Sequence, residues 1–386
     1  MKSNKYHHVH CVVDDDVKHH LKHLLKKVEH KHYAVSLTKQ KSNIKLFWNR
    51  FINRKINLIL LSFIVLFTLF LIFTSLFYPY SSKKTAISNP LLLTNLPKFY
   101  SPIVEKNLPV GEEYNMIKNI ANLSPHRNII ISEKQILGFI QLKYNPYELL
   151  YATLELGGNK MTKLNFLLGT NENGIDNFSL IINSILWTII ISLFSLFIGL
   201  LVGTLLGSFV AYYSEKTSVK IGYYTFSSLS ILPYLIFSIF LFSIFKFSIL
   251  SSIIIFSLLS SINFFHSSYA SGLEIKNKEF IIADKASGFN NWNIIIRDLF
   301  KYNWWNNIVI ISDQLSLIFL SLAALAFFNI NGVSNSNNIG LIFKQIISDV
   351  TNFDYLFTVI FLSILYLILT KWLSISLYVS SNPKLK

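Results

Sequence analysis

Asp313 is the only acid in the apolar run Trp304–Phe328. It sits about nine residues in, or ~13 Å at 1.5 Å per residue. A carboxylate at that depth is costly in hydrocarbon and marks a place where something is bound or bonded. It can hold a cationic group such as a free amine, or it can bond Ser312, Asn307 or a neighbouring helix and organise the bundle. Different chemistry is on offer at the N-terminus, where "YHHVHCVVDDDVKHHLKHLLKKVEHKH" carries eight of the ten histidines. His7, His8, His10 and Cys11 are borderline and soft ligands at close spacing, suited to zinc, nickel or copper. They lack the two ligand pairs at defined spacing of a zinc site, and Val17, Leu21, Leu24, Leu25 and Val28 fall on one helical face. A basic amphipathic helix lying on lipid, without metal, is the preferred reading. Gly199, Gly203 and Gly207 stand four apart in the run Phe178–Tyr213. That spacing puts them on one helix face, where another backbone can approach closely.

Hydrolytic chemistry finds little support. The sequence has no H-E-x-x-H, no G-x-S-x-G and no Walker A motif. His266, beside Ser267 and Ser268 at the end of an apolar run, reads as an interfacial residue rather than a catalytic base. Coupled-ion transport is also disfavoured, since Asp313 is the one deep charge and no second half mirrors the first.

The remaining polar feature is an island, "KNKEFIIADKASGFNNWNIIIRDLF" (276–300), between two apolar runs. Phe280, Ile281, Ala283 and Ala286 keep helical spacing up to Gly288. After a "GFNN" turn, Trp292, Ile295, Ile296 and Leu299 form a second apolar set. A helix–Gly–helix of mixed charge has no place inside a bilayer.

The elements that position these residues are membrane spans. With 52% hydrophobic and only 14% charged residues, the 386-residue chain reads as an all-α polytopic membrane protein with about six transmembrane helices. The apolar runs are Asn57–Tyr78, the over-long Phe178–Tyr213, Ile221–Phe245 with Pro233, Phe247–Ala270, Trp304–Phe328, and Tyr355–Leu369 continuing to Tyr378. Four regions follow: a tail (1–55), a first anchor (56–79), an outside segment (80–177) and a membrane domain (178–386). The 56-residue polar leader makes the first run an anchor rather than a cleavable signal. Residues 1–56 carry 13 Lys/Arg against 4 acids, whereas 80–177 carry 10 against 8. Both termini are therefore expected in the cytoplasm, with the basic tail against anionic lipid. The net charge of +15 is not matched by any nucleic-acid-binding module. Cys11 is the sole cysteine, so no intrachain disulfide staples the outer segment. That segment mixes turn signals with short apolar runs, which leaves its fold open.

Several stretches together resemble one family. "LLGTNENGIDNFSLIINS" (167–184) is similar to the segment before the second span of oligopeptide/dipeptide ABC importer permeases of the C-subunit type. Leu168, Gly169, Thr170, Gly174, Asp176 and Ser179 match, while Asn171 and Ile175 stand where that family has Asp and Arg. "LLVGTLLGSFVAYY" resembles its glycine-rich continuation, and "YTFSSLSILPYLI" keeps only the proline, Pro233, of the next motif. The island resembles the family's coupling segment through Glu279, Phe280, Ile281, Ala283, Lys285, Ala286, Gly288, Ile294, Ile295 and Arg297. Ile282 and Asp284 replace its usual Glu and second Ala, and Asp298 and Lys301 its His and Pro. "LAFFNINGV" with "NNIGLIF", and the closing "SNPKLK", complete a resemblance that runs from 167 to the end and includes the first anchor.

What the resemblance implies is a permease of the type I ABC importer fold in the cell membrane. Glu279, Phe280, Ala283, Asp284, Ala286, Gly288, Ile295 and Arg297 would then form the coupling surface for an ATPase, and Asp313 a point on the substrate pathway. The chain itself would bind no cofactor, ATP and Mg being held by two separate ATPase subunits. A second homologous permease and an extracellular substrate-binding protein complete the implied partners. Peptides are the implied cargo. Nickel or another small solute is the alternative, and a membrane-anchored structural or adhesion protein is a third reading.

Overall fold

The computed structural model describes residues 43–87, 90–136, 138–158, 163–348 and 352–381. His7, His8, His10 and Cys11 lie outside these. The chain divides into two units, residues 1–53 and 54–386. In the first, α1 (Asn43–Asn53) stacks Phe47 on Phe51 with centroids 6.2 Å apart.

In the second unit, α2 (Lys55–Phe77) is the first anchor, free of charge after Lys55. Beyond it the chain forms a small α+β layer that periodicity had not resolved. β1 (Val104–Pro109), β2 (Ile130–Ile136) and β3 (Phe139–Tyr144) make an antiparallel sheet in the order β1-β3-β2. Val104 pairs with Tyr144 and Pro109 with Phe139. The β2–β3 turn places Gly138 at φ 84°, a conformation that favours glycine. α3 (Glu112–Leu123) lays Tyr114 and Ile117 on the core of Leu108, Ile140 and Leu142. α4 (Pro146–Leu156) starts where Asn145 Oδ1 accepts the Tyr147 N–H and Pro146 occupies the first turn. The sequence "YNPYE" is thus a helix start as well as a turn. Arg127 ties this helix down through Glu148 (2.9 Å) and Glu155 (3.2 Å).

The rest is helical: α5 (Asn177–Tyr212), α6 (Thr217–Ser228), α7 (Tyr234–Phe245), α8 (Ile249–Lys276), α9 (Glu279–Ala286), α10 (Asn291–Ile294), α11 (Lys301–Phe327), α12 (Ile339–Ser348) and α13 (Phe353–Ser381). A π-helical stretch, Ile295–Phe300, joins α10 to α11. Among the described residues the architecture is mostly helical with five to six candidate spans, which bears out the all-α polytopic reading. α5 is a single 36-residue helix, ~54 Å long, so it projects beyond the hydrocarbon as its run length required.

One expected span departs from a straight crossing. Ile221–Phe245 is broken at Leu232–Pro233, and the two parts meet at 92°. Pro233 has no N–H to continue the upstream helix and clashes with its last turn; none of α6 is buried. The pair still connects opposite ends of the bundle. At its start, Glu215 takes the Lys276 ammonium at 2.7 Å, at the far end of α8. At its close, the Phe247 N–H donates to Asn331 O (2.9 Å), next to the start of α8. These ends lie one 28-residue helix apart.

Candidate functional site

The polar island folds into a bracket. α8 ends at Lys276, and Glu279 opens α9 two residues beyond Asn277. α9 closes when Gly288 enters the left-handed region at φ 79°. The Gly288 N–H donates to Lys285 O (3.1 Å) and the Phe289 N–H to Asp284 O (3.1 Å). This is the paired-bond helix stop for which glycine is preferred. A Cβ on Gly288 would meet nothing within 4 Å; the requirement there is backbone conformation alone. Asn290 then caps α10, its Oδ1 accepting from Trp292 N at 3.4 Å.

Periodicity placed the apolar residues of the island in two sets, one on either side of Gly288, and the structure divides each of them. Ile281, Ile294, Ile295 and Leu299 are fully buried with Tyr212 and Ile275. Phe280, Ile282, Phe289, Trp292 and Ile296 are exposed. The inner set fixes the bracket to the bundle, and the outer set leaves a convex apolar surface. Of the eight residues assigned to coupling, Ile295 is on the inner side, while Glu279, Phe280, Ala283, Ala286, Gly288 and Arg297 are exposed and Asp284 is half-buried.

Charges brace the two arms. Arg297 Nη2 donates to Asp284 Oδ2 at 2.5 Å across the turn, and Arg297 Nε to Asp298 Oδ1 at 3.1 Å. The same guanidinium lies 4.4 Å from the centroid of Phe289. Asp284, a departure from the usual coupling motif, is therefore one half of a clamp. Tyr212 on α5 donates its hydroxyl to Asn291 Oδ1 (2.6 Å), and Lys285 sits over its ring at 4.9 Å.

From the bracket the chain runs without interruption through the π stretch into α11, and a buried polar seam grips the start of that helix. Asn303 Nδ2 donates to Ser208 Oγ (2.9 Å) on α5 and Ser268 O (3.0 Å) on α8, while Ser271 Oγ donates to Asn303 Oδ1 (2.7 Å). One turn on, Asn307 Nδ2 donates to Thr204 Oγ1 (2.9 Å) and Ser268 Oγ (2.8 Å). The seam joins the start of α11 to both α5 and α8. Sequence reasoning missed this seam: Asn303 and Asn307 stand four apart, as do Thr204 and Ser208, which marks a face on each helix but not that the two faces meet.

The glycines meet α8. A Cβ on Gly199, Gly203 or Gly207 would stand 2.8, 2.4 or 2.6 Å from the carbonyl oxygens of Ser257, Ser261 and Phe265. Asp313 is not solitary. Lys371 of α13 donates to its Oδ1 at 2.5 Å, and the two side chains are 42% and 58% exposed. Asp313 is thus not the one deep charge: Lys371 lies in the continuation of the sixth run from Leu369 to Tyr378, and its cation had not been set against the carboxylate.

At the start of α5 the "LGT" stretch forms a tight cap. Gly169 has φ 70°, and a Cβ there would lie 2.2 Å from Leu96 O. Thr170 binds the turn at 93–96 through its N–H to Leu96 O (3.0 Å) and its hydroxyl to Leu93 O. Asp176 Oδ2 accepts the Ser179 N–H at 2.6 Å, starting the helix.

Among the described residues no group of three His, Cys, Asp or Glu side chains is placed to hold a metal ion. No curated protein matches the chain. What the geometry describes is a membrane bundle with an exposed, braced bracket wired into three of its helices, and residues 203–384, which hold that bracket, match the family described as the binding-protein-dependent transport system inner membrane component.

Proposed function

We propose that the chain is a permease subunit of an ATP-driven importer of oligopeptides or dipeptides, and that residues 276–300 are its docking bracket for an ATPase. The observation that carries this reading is the divided apolar set. A surface exposing Phe280, Ile282, Phe289, Trp292 and Ile296 beneath a membrane bundle is the apolar centre of a protein interface. Lys278, Glu279, Lys285 and Arg297 supply a polar rim. ATP and Mg are held by two partner ATPases, and closure of their dimer pulls the bracket. The Arg297–Asp284 clamp keeps its arms from opening, and the Asn303–Asn307 seam carries the pull to α5, α8 and α11. A second permease subunit completes the pathway, and a substrate-binding protein delivers cargo at the outer face.

The test is a pair of variants at Gly288, where space is open and only φ matters. Gly288→Val strains the turn by about 1–3 kcal/mol, enough to weaken docking roughly five- to 150-fold. Asn tolerates the left-handed region far better. In vesicles containing the complete transporter, Gly288→Val is expected to abolish ATP-driven peptide uptake and Gly288→Asn to retain most of it. Wild-type uptake by the valine variant removes the coupling role.

A further inference from the structure

Asp313 and Lys371 form an exposed ion pair at mid-depth. Asp313 is twelve residues after Lys301 and fourteen before Phe327, at the middle of the 27-residue α11. Lys371 is eighteen residues after Phe353 and ten before Ser381 in α13. Each charge is therefore ~15 Å or more from either helix end. Other outer surfaces of the bundle are free of charge at this depth. α2 exposes Ile59, Phe63, Leu66, Phe70 and Phe73, and α5 exposes Leu193, Phe194, Phe197 and Leu201. Those surfaces suit hydrocarbon. A carboxylate and an ammonium, each about half exposed, do not: ionisable side chains within a membrane face a bundle interior or a water-filled cavity. Ser316, one turn from Asp313, is exposed on the same side.

We propose that the α11–α13 face bearing Asp313 and Lys371 lines an aqueous part of the translocation pathway, and that the pair takes a zwitterionic solute. This rests on the import reading above. A solute with a free ammonium and a free carboxylate can exchange with the protein pair, its amine going to Asp313 and its carboxylate to Lys371. All four charges stay partnered during the exchange. A singly charged solute that took one partner would leave the other protein charge unpaired in surroundings that include Leu320 and Trp372, at a cost that selects against it, and an uncharged solute would engage neither charge.

Two measurements on the complete transporter test this. In a Cys11→Ser background, Ser316→Cys leaves the ion pair intact. A small hydrophilic thiol reagent is expected to label it in reconstituted vesicles, whereas Phe197→Cys on the α5 surface is expected to react only with a hydrophobic maleimide. Labelling of Ser316→Cys by the maleimide alone would make this face a lipid face. Protection from both reagents would make it a subunit contact. Either result overturns the proposal, and neither depends on transport. Uptake then reads the chemistry, using a free dipeptide, its amino-acetylated form and its carboxy-amidated form. Wild-type protein is expected to prefer the free dipeptide. Asp313→Asn should reduce that preference over the acetylated form, and Lys371→Gln over the amidated form, each about tenfold, the scale of a charged hydrogen bond. Unchanged preferences in both variants, with uptake intact, would reduce the pair to a brace between helices. Absence of uptake for every peptide in the wild type, with Ser316→Cys still labelled by the hydrophilic reagent, would sink the peptide cargo while leaving the aqueous face.

Discussion

Asp176 carries two demands that conflict. Its carboxylate accepts the Ser179 N–H at the start of α5, yet the residue is only 2% exposed. Burial pushes its pKa up to about 7, against the opposing effect of the Ser179 bond. In an unfolded chain the group titrates near 4. The folded state therefore binds the proton more tightly, and the associated stability is fully present below the unfolded pKa and lost as pH rises through about 7. Asn keeps the cap and does not titrate. Wild-type protein in detergent is expected to lose stability between pH 5.5 and pH 8, by on the order of 1 kcal/mol or more, beyond whatever Asp176→Asn loses over the same range. Equal losses in thermal-melt measurements would show that the carboxyl is not responsible. Asp284 offers a second residue-scale expectation. Its bond to Arg297 is partly exposed, and such solvent-screened pairs contribute little to stability. Asp284→Ala combined with Ile282→Glu restores the usual coupling motif and should leave the melting temperature within a few degrees. If the bracket docks as proposed, the double variant should couple better than wild type to an ATPase from a relative, read as ATP-driven uptake. No gain would mean that these two positions do not set ATPase choice.

Among the elements, α5 and α8 form the tightest contact, and its cause lies in residue size. Gly199, Gly203 and Gly207 bring the α5 backbone onto the carbonyls of Ser257, Ser261 and Phe265, and Gly272 returns the favour against Ala211. A methyl group at Gly203 would lie 2.4 Å from a backbone oxygen that cannot rotate away. Gly203→Ala is expected to destabilise the bundle by about 1–3 kcal/mol, the usual cost of overpacking, and to lower the yield of folded protein after detergent extraction. Asn303→Leu should cost about 2 kcal/mol, since it deletes three bonds of the seam and each averages roughly 0.6 kcal/mol within membranes. A full-stability Leu variant would mean the seam contributes nothing. The glycine contact was legible because a four-residue spacing fixes a helix face whatever the partner is. The seam was not, because hydrogen bonds between Asn303 and serines on two other helices depend on crossing geometry that one helix cannot reveal. The outer sheet escaped for a related reason: β1, "VEKNLP", has one buried residue in six, and its strand identity comes from pairing with β3. Pro233 was visible as a breaker, but the 92° bend belongs to tertiary packing, with Tyr223 of α6 stacked on Tyr269 of α8, which one segment cannot reveal. The division of the island into inner and outer apolar sets likewise required the position of Tyr212 and Ile275.

At the scale of the whole molecule, the bent pair α6–α7 decides the topology. If it did not cross, the spans would number five and the two termini would face opposite sides. The bonds at its ends argue otherwise. Glu215 meets Lys276 beside the bracket, whereas Phe247 meets Asn331 at the other end of α8, ~42 Å away along a 28-residue helix. With six crossings, residues 1–55, 271–303 and 380–386 are expected on one side and 80–177 and 329–353 on the other. The excess of Lys and Arg in residues 1–56 predicts that the first side is the cytoplasm. Single cysteines at Asn115, Asn290 and Asn335, each an exposed position, separate the possibilities in a Cys11→Ser background. On intact cells a membrane-impermeant thiol reagent is expected to label Asn115→Cys and Asn335→Cys, and to reach Asn290→Cys only after permeabilisation. Labelling of Asn290→Cys alone would invert the orientation and place the bracket outside, where no ATPase could dock. Labelling of Asn115→Cys and Asn290→Cys, with Asn335→Cys protected, would mean that α6–α7 turns back without crossing; the bracket would again be outside, and the coupling role would fall with it.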